Sequence, residues 1–297
     1  MEKIVAIVGP TAVGKSDIAV EIALSYNGEV VSADSRQVYQ GLDIGSGKIT
    51  QSEMRGVPHH LLDIADPKDT YSLKSFIEHA TSVIKHIHTQ GSLPILCGGT
   101  GLYIDSVVNG AQLPAVPPNE KLRAELSQKN TEELYALLLE KDKKRAQTID
   151  RHNPRRLIRA LEIIEALGSV EPLSQEKTYD TLYVGLILPT EELHARIHER
   201  LLKRIANGLL HEVKKLHDNG LSFERMEELG LEYKYFAYYL QNKLSFEDMS
   251  VQLETAIRQY AKRQMTWFKR NKEVEWFEPK DLQKIQERVA SFLLSKK

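Results

Sequence analysis

The sequence predicts an α/β protein: a mainly parallel sheet with helices on both faces, interrupted once by a small all-helical insertion. Three observations carry that prediction. Short apolar strands run straight into glycine-rich turns at Gly9 and Gly98. Strand and helix periodicities alternate from the N-terminus to Ile104. Between a proline cluster at 114–118 and a return of strand character at 182, the pattern is helical throughout.

The elements follow in order. Lys3–Val8 reads KIVAIV, an apolar strand ending at Gly9. Over 16–25, Ile18, Ala19, Ile22 and Ala23 share one helical face, and Asn27-Gly28 supplies a stop. Residues 29–32 form a second short strand that ends at Ala33-Asp34, and 60–64 are a candidate third. Over 73–88, Leu73, Phe76, Ile77, Ala80, Ile84 and Ile87 make a helical stripe closed by Gly91. Leu93–Cys97 is the next strand and leads into Gly98-Gly99-Thr100-Gly101. In such sheets ligands bind at the carboxyl ends of the strands. The segments 9–16, 34–39 and 98–103 are therefore expected to converge on one crevice.

Leu113-Pro114-Ala115-Val116-Pro117-Pro118 marks a boundary. Residues 114–177 are expected to form the helical insertion, helical from 120 to 167, with 1–113 and 178–297 forming the core. Strand character returns over 182–188, and the remainder is mostly helical. Ser245 with Asp248 resembles a capping box, followed by a face of Met249, Leu253, Ala256, Ile257 and Tyr260.

Composition narrows the function. The 297 residues are 41% apolar and 27% charged with a formal net charge of −1, so any nucleic-acid site must be a local basic patch. One cysteine, Cys97, excludes a disulfide framework and a Cys/His zinc cluster and suits a reducing, cytoplasmic compartment. The apolar part of the first ten residues is too short for a signal peptide, and no stretch approaches the ~18 apolar residues that would span a membrane.

Residues 9–16, Gly9, Pro10, Thr11, Ala12, Val13, Gly14, Lys15 and Ser16, fit G-x-x-x-x-G-K-[ST] in full, with a strand before and a helix after. Glycines let backbone N–H groups turn around phosphate oxygens, and the helix N-terminus adds a favourable dipole. Lys15 supplies a mobile positive charge, and Ser16 can offer a hydroxyl to Mg2+. The fold expected is thus a P-loop NTPase-like core. The loop implies a bound phosphate chain, not phosphoryl transfer. A kinase also needs a second carboxylate for Mg2+, for which Asp63 is the candidate.

Asp34 lies just past a strand and reads either as a metal ligand or general base or as a turn-forming residue. Thr100, between glycines, is similarly ambiguous. Arg151, Arg155, Arg156 and Arg159 cluster in the insertion, and 258–272 interleaves Lys262, Arg263, Lys269 and Arg270 with Tyr260, Trp267 and Phe268. Cations beside aromatics suit nucleic acid, although each stretch also reads as a solvated helical face. Arg200 has no standing from spacing alone.

Together these motifs give a resemblance. GPTAVGKS (9–16), SADSRQVY (32–39), GLDIGSGK (41–48), GVPHHLLDI (56–64), GGTGLYI (98–104), NPRRLIRALE (153–162) and RQYAKRQMTWFKR (258–270) span nearly the whole chain. In that order the sequence resembles tRNA dimethylallyltransferases, also called tRNA isopentenyltransferases. The resemblance implies transfer of a dimethylallyl group from dimethylallyl diphosphate to the exocyclic amine of the adenosine 3′ of the tRNA anticodon, with Mg2+ as cofactor and diphosphate released. It implies roles as well. Residues 9–16 and Arg200 would hold the diphosphate, Ser16 the metal, and Asp34 would act as general base. Asp34, Ser35, Arg36, Gln37, Thr100, Arg123, Arg155, Arg156, Leu157, Ile158, Arg159 and Arg263 would meet the anticodon stem-loop. No obligate protein partner is implied, and a monomer is expected. The target base must leave its stack to be reached, and the insertion is expected to clamp the loop. One segment departs from the pattern: Leu229-Gly230-Leu231-Glu232-Tyr233-Lys234 stands where relatives carry an Ile-Gly-Tyr-Lys-Glu-like stretch. A small-molecule or nucleotide kinase and a nucleotide-gated RNA-binding protein are the alternatives.

Overall fold

The computed structural model describes residues 1–170 and 176–295. The chain divides into two compact units, residues 1–109 with 177–297 and residues 110–176. The expected cuts lay at 113/114 and 177/178.

The larger unit opens with β1 (Lys3–Val8), α1 (Lys15–Ser25), β2 (Gly28–Ser32), α2 (Gln51–Met54) and β3 (His59–His60). It continues with α3 (Leu73–Thr89), β4 (Leu93–Cys97) and α4 (Gly101–Val108). The smaller unit contributes α5 (Glu120–Leu126), α6 (Thr131–Lys141), α7 (Lys143–Thr148) and α8 (Pro154–Leu167). The larger unit then resumes with β5 (Asp180–Leu186), α9 (Thr190–Ala206), α10 (Leu209–Asp218), α11 (Phe223–Leu229) and α12 (Leu231–Leu240). It ends with α13 (Phe246–Phe268), β6 (Val274–Phe277) and α14 (Leu282–Leu294).

The six strands pair in the order β3-β2-β4-β1-β5-β6, and every pairing is parallel. That is the predicted α/β class. Along β1, Ile4, Ala6 and Val8 point into one apolar cluster with Phe76, Ile84, Leu96 and Ile104. Val5 and Ile7 point into the other, with Ile22, Ile95, Val184 and Leu253. Strand side chains alternate between faces, so a strand buried on both sides must be apolar throughout. This is why KIVAIV reads as an unbroken run. The register pairs Ile7 with Cys97, Ser32 with Cys97 and Val8 with Gly185. The loops after β1, β2 and β4 therefore emerge at one edge of the sheet.

Three boundaries differ from expectation. The candidate strand at 60–64 is only His59–His60, because Leu61 and Asp63 have φ of 63° and 56°, left-handed backbone that breaks a strand. The strand expected at 182–188 is Asp180–Leu186. The stretch from 120 to 167 is four helices, begun by side-chain caps at Asn119, Asn130, Asp142 and Asn153. Each of those residue types favours an N-cap over a helix interior. Of the capping box expected at Ser245, the N-cap half is present: its Oγ accepts from Asp248 N at 3.0 Å, while Asp248 Oδ2 accepts from the Ser245 hydroxyl. Among the described residues, no helix is long and apolar enough to cross a membrane.

The smaller unit has its own core of Leu126, Leu134, Leu138, Leu157, Leu161 and Ile164. At its centre lies a carboxylate. Glu162, with a side chain 1% exposed, accepts from Arg123 Nε at 2.7 Å and from Arg159 Nη1 at 2.7 Å. Asn119 N adds a third donor at 2.7 Å. Burial pushes the Glu162 carboxyl up, but the bonds from Arg123, Asn119 and Arg159 outweigh it and hold its pKa at about 2.

Candidate active site

The three loops at the sheet edge surround a cavity of about 500 Å³. Thr11, Ala12, Gly14, Lys15 and Ser16 come from the first loop, Asp34 and Gln37 from the second, and Gly98 and Gly99 from the third. The convergence expected from the sequence is present. Gly14, at φ 97°, turns the chain into α1, which points the first N–H groups of that helix toward the cavity. Val13 is fully buried beneath the loop and anchors it. Lys15 Nζ donates to Pro10 O at 2.7 Å. Burial, opposed by Cys97 and reinforced by Arg200, lowers the Lys15 ammonium to about 8. An anion beside it would reverse that shift.

Asp34 forms the turn considered for it. Its Oδ1 accepts from Arg36 N at 2.8 Å, which makes a turn. The residue also lines the cavity, so the carboxylate is held by one oxygen with the other available. Thr100 Oγ1 accepts from Ser35 N at 3.1 Å, which ties the third loop to the second. Arg36 leans on the backbone of its own turn and on Glu228 O. Gln37 Nε2 donates to Gly47 O at 3.2 Å.

A fourth wall comes from α9, with Arg196, Arg200, Lys203 and Arg204 all lining the cavity. Arg200 Nη1 reaches Thr11 Oγ1 at 3.3 Å. Burial and then Arg204 lower its pKa to about 10. Arg204 is neutralised: Nη1 donates to Glu232 Oε1 at 2.7 Å and to Gly45 O at 3.1 Å. This answers the divergent 229–234 segment. Glu232 there partners Arg204, and Tyr233 Oη donates to Glu212 Oε1 at 3.0 Å. Glu212 in turn accepts from three successive backbone N–H groups, at Asp43, Ile44 and Gly45. The loop 43–48 is thereby fixed as a wall of the cavity. Gly47 has to be glycine. A Cβ there would lie 1.7 Å from Arg204 Nη2 and 2.1 Å from Arg200 Nη2, and its φ is 64°.

Asp63, the carboxylate that a kinase would need, is not in this cavity. It accepts from Lys48 Nζ at 2.5 Å, and the same ammonium holds Asp43 Oδ1 at 2.6 Å. Among the described residues there is no group of three or more His, Cys, Asp or Glu suited to a metal. Ser16 lines the cavity together with Asp17 and Asp34, which brings hard oxygens to it. That suits Mg2+, which keeps several waters and takes its remaining ligands from substrate phosphates.

The other candidates lie elsewhere. Arg263 is exposed on α13, its guanidinium 5.8 Å from the Tyr260 ring centroid. In the smaller unit, Arg155 and Arg156 are exposed on the first turn of α8, Ile158 is half-buried and Leu157 is fully buried. Arg123 and Arg159 are committed to Glu162, and Arg159 Nη2 also donates to Val116 O at 2.8 Å. Beyond Arg200, sequence reasoning missed the α9 wall (Arg196, Lys203 and Arg204), and it missed Gln264. A signal for the first existed: 196, 200 and 204 fall at i, i+4 and i+8, one helical face. None existed for Gln264.

Residues 37–271 match the model of the IPP transferase family. The chain is 41% identical to the tRNA dimethylallyltransferase of Anoxybacillus flavithermus, over 98% of this chain and 95% of that protein. It is 42% identical to the tRNA dimethylallyltransferase of Thermomicrobium roseum, over 96% and 90%. Its structure is similar to the crystal structure of a full-length tRNA isopentenylpyrophosphate transferase from Bacillus halodurans, with TM-score 0.76, 40% identity and coverage of 99% and 97%. It is also similar to a eukaryotic dimethylallyltransferase captured acting on tRNA, with TM-score 0.77, 29% identity and coverage of 90% and 70%.

Proposed function

This chain belongs to the IPP transferase family of tRNA dimethylallyltransferases, and from that premise we propose how its cavity performs the transfer. The enzyme moves a dimethylallyl group to a tRNA adenosine. The donor is dimethylallyl diphosphate, and the acceptor is the exocyclic amine of the adenosine 3′ of the anticodon. The observation that carries this reading is one cavity lined by Thr11, Ala12, Gly14, Lys15 and Ser16 of the phosphate loop, by Arg200 and by Asp34.

The first loop, Lys15 and Arg200 hold the diphosphate. As the C–O bond to the allylic carbon breaks, negative charge grows on the diphosphate oxygens. Preorganised donors in a water-poor site stabilise that charge most strongly. Ser16 would help hold Mg2+, which when bound would supply positive charge to the same leaving group. The amine nitrogen forms the new bond to carbon and becomes acidic as it does so. Asp34 accepts its proton. Thr100 and the turn at 35–37 support the adenosine, which must be flipped out of its stack to enter. The exposed Arg155, Arg156 and Arg263 bind tRNA phosphates, and the smaller unit clamps the anticodon loop. A free buried thiol at Cys97 and a tRNA substrate agree with a cytoplasmic enzyme, working as a monomer.

The test is incubation with anticodon stem-loop RNA, Mg2+ and dimethylallyl diphosphate, followed by mass spectrometry of the RNA. One five-carbon unit should appear on the adenosine. No gain, or ATP turnover with a small acceptor, overturns the reading. Asp34→Ala should lower kcat about 10²–10⁴-fold while leaving diphosphate affinity within a few fold. Equal losses in both would remove its role as base.

A further inference from the structure

A buried contact at the cavity comes from α13. Gln264 is 5% exposed, and its two amide atoms face two different loops. Oε1 accepts from Thr11 N at 2.8 Å, and Nε2 donates to Gly99 O at 3.0 Å. An N–H on one side and a C=O on the other fix which way the amide points. Among side chains of this length only a neutral amide, or a protonated carboxylic acid, satisfies both.

We propose that Gln264 is a positioning residue for the transfer: a strut that sets the separation between the diphosphate grip and the nucleophile side. The inference rests on the reading above. On one side of the strut, Thr11 Oγ1 accepts from Arg200 Nη1 at 3.3 Å. On the other, Gly99 precedes Thr100, whose Oγ1 accepts from Ser35 N at 3.1 Å, next to Asp34. A hydrogen-bonded line therefore runs from the arginine that grips the leaving group to the loop that carries the base, and Gln264 closes its centre. Gly99 is shaped to it. A Cβ at that position would sit 2.1 Å from Gln264 Nε2 and 3.8 Å from Tyr260 Oη. Transfer needs the allylic carbon and the amine nitrogen in near-attack contact, and a misplacement of about 1 Å costs roughly a hundredfold in rate.

The test uses the full-length enzyme with anticodon stem-loop RNA and dimethylallyl diphosphate, measured in single turnover and at steady state. Gln264→Met removes both bonds at similar volume. It should lower kcat about a hundredfold and leave both KM values within about threefold. Gly99→Ala, which displaces the amide from outside, should reproduce that split. Gln264→Glu gives a sharper readout. As a carboxylate it accepts from Thr11 N but repels Gly99 O, whereas as a neutral acid it does what the amide does. Its rate relative to the unmutated enzyme should therefore rise as pH falls from 8 to 6, while the Gln264→Met ratio stays flat. KM losses that match the kcat loss, or a Gln264→Glu ratio that ignores pH, overturn the strut. An unmutated enzyme that transfers no prenyl group overturns the reading of function instead. One that transfers normally beside variants of unchanged kcat overturns the strut alone.

Discussion

Arginines on two helices serve opposite purposes. On α9, Arg200 is half-buried with one long bond to a hydroxyl, and desolvation with a like-charged neighbour lowers its pKa to about 10. On α8, Arg159 is paired at 2.7 Å with a buried carboxylate that also takes Arg123. A desolvated cation that lacks a carboxylate is costly, and a fold keeps one where a ligand supplies the charge. A cation that owns its carboxylate is part of the scaffold. The same helix α8 also shows the third case, since Arg155 and Arg156 are exposed and available to a polyanion. Arg204 shows that the distinction is local. One turn beyond Arg200 on the same helix, it is matched by Glu232.

The comparison can be broken experimentally, and the largest effect should be at α9. Arg200→Gln should lower kcat/KM for dimethylallyl diphosphate about 10²–10³-fold, the scale for losing one preorganised charge donor, with the melting temperature unchanged or raised. A fall in stability instead would make Arg200 scaffold like Arg159. Glu162→Gln should act the other way. Breaking a buried pair costs roughly 3–5 kcal/mol, and about 2 kcal/mol is expected here because Arg123 and Arg159 are 38% and 35% exposed. Urea unfolding should register that loss, with kcat retained in the folded fraction. The acid dependence has a fixed sign. The folded pKa of Glu162 is held at about 2, below the ordinary glutamate value of 4.5, so its stabilisation is complete above pH 4.5 and is lost as pH falls toward 2. Protection of α8 amides that is constant over that range would contradict the pairing. The smallest effect belongs to the exposed pair. Arg155→Glu with Arg156→Glu should weaken tRNA binding at low salt and flatten the slope of log K against log salt by about 1–2. An unchanged slope would make both a solvated face.

Legibility varied for physical reasons. The phosphate loop needs its residues contiguous, so 9–16 announced the motif in full. Asp34 and Thr100 were visible as strand-end residues, and the sheet register explains why: Ser32 pairs with Cys97, which aligns the turns that follow. Arg200 was recognisable only by resemblance, because the residues it faces are 189 positions away. Gln264 lies 253 residues from Thr11 and left no local pattern. Glu162 looked like one more charge on a charged helix. Its burial follows from the packing of α5 against α8, not from any spacing within α8.

The sequence by itself determined the parallel α/β core, the helical insertion and the phosphate-loop motif. Those depend on local periodicity, on chain turns that only glycine permits, and on motifs read within a few residues of one another. Only the tertiary structure decided which charges are spent on the fold and which remain for a ligand. Lys48 is held by Asp43 and Asp63, Arg204 by Glu232, and Arg159 by Glu162. Lys15 and Arg200 face the cavity. Pairing is a property of distance in space, and sequence separation does not encode it.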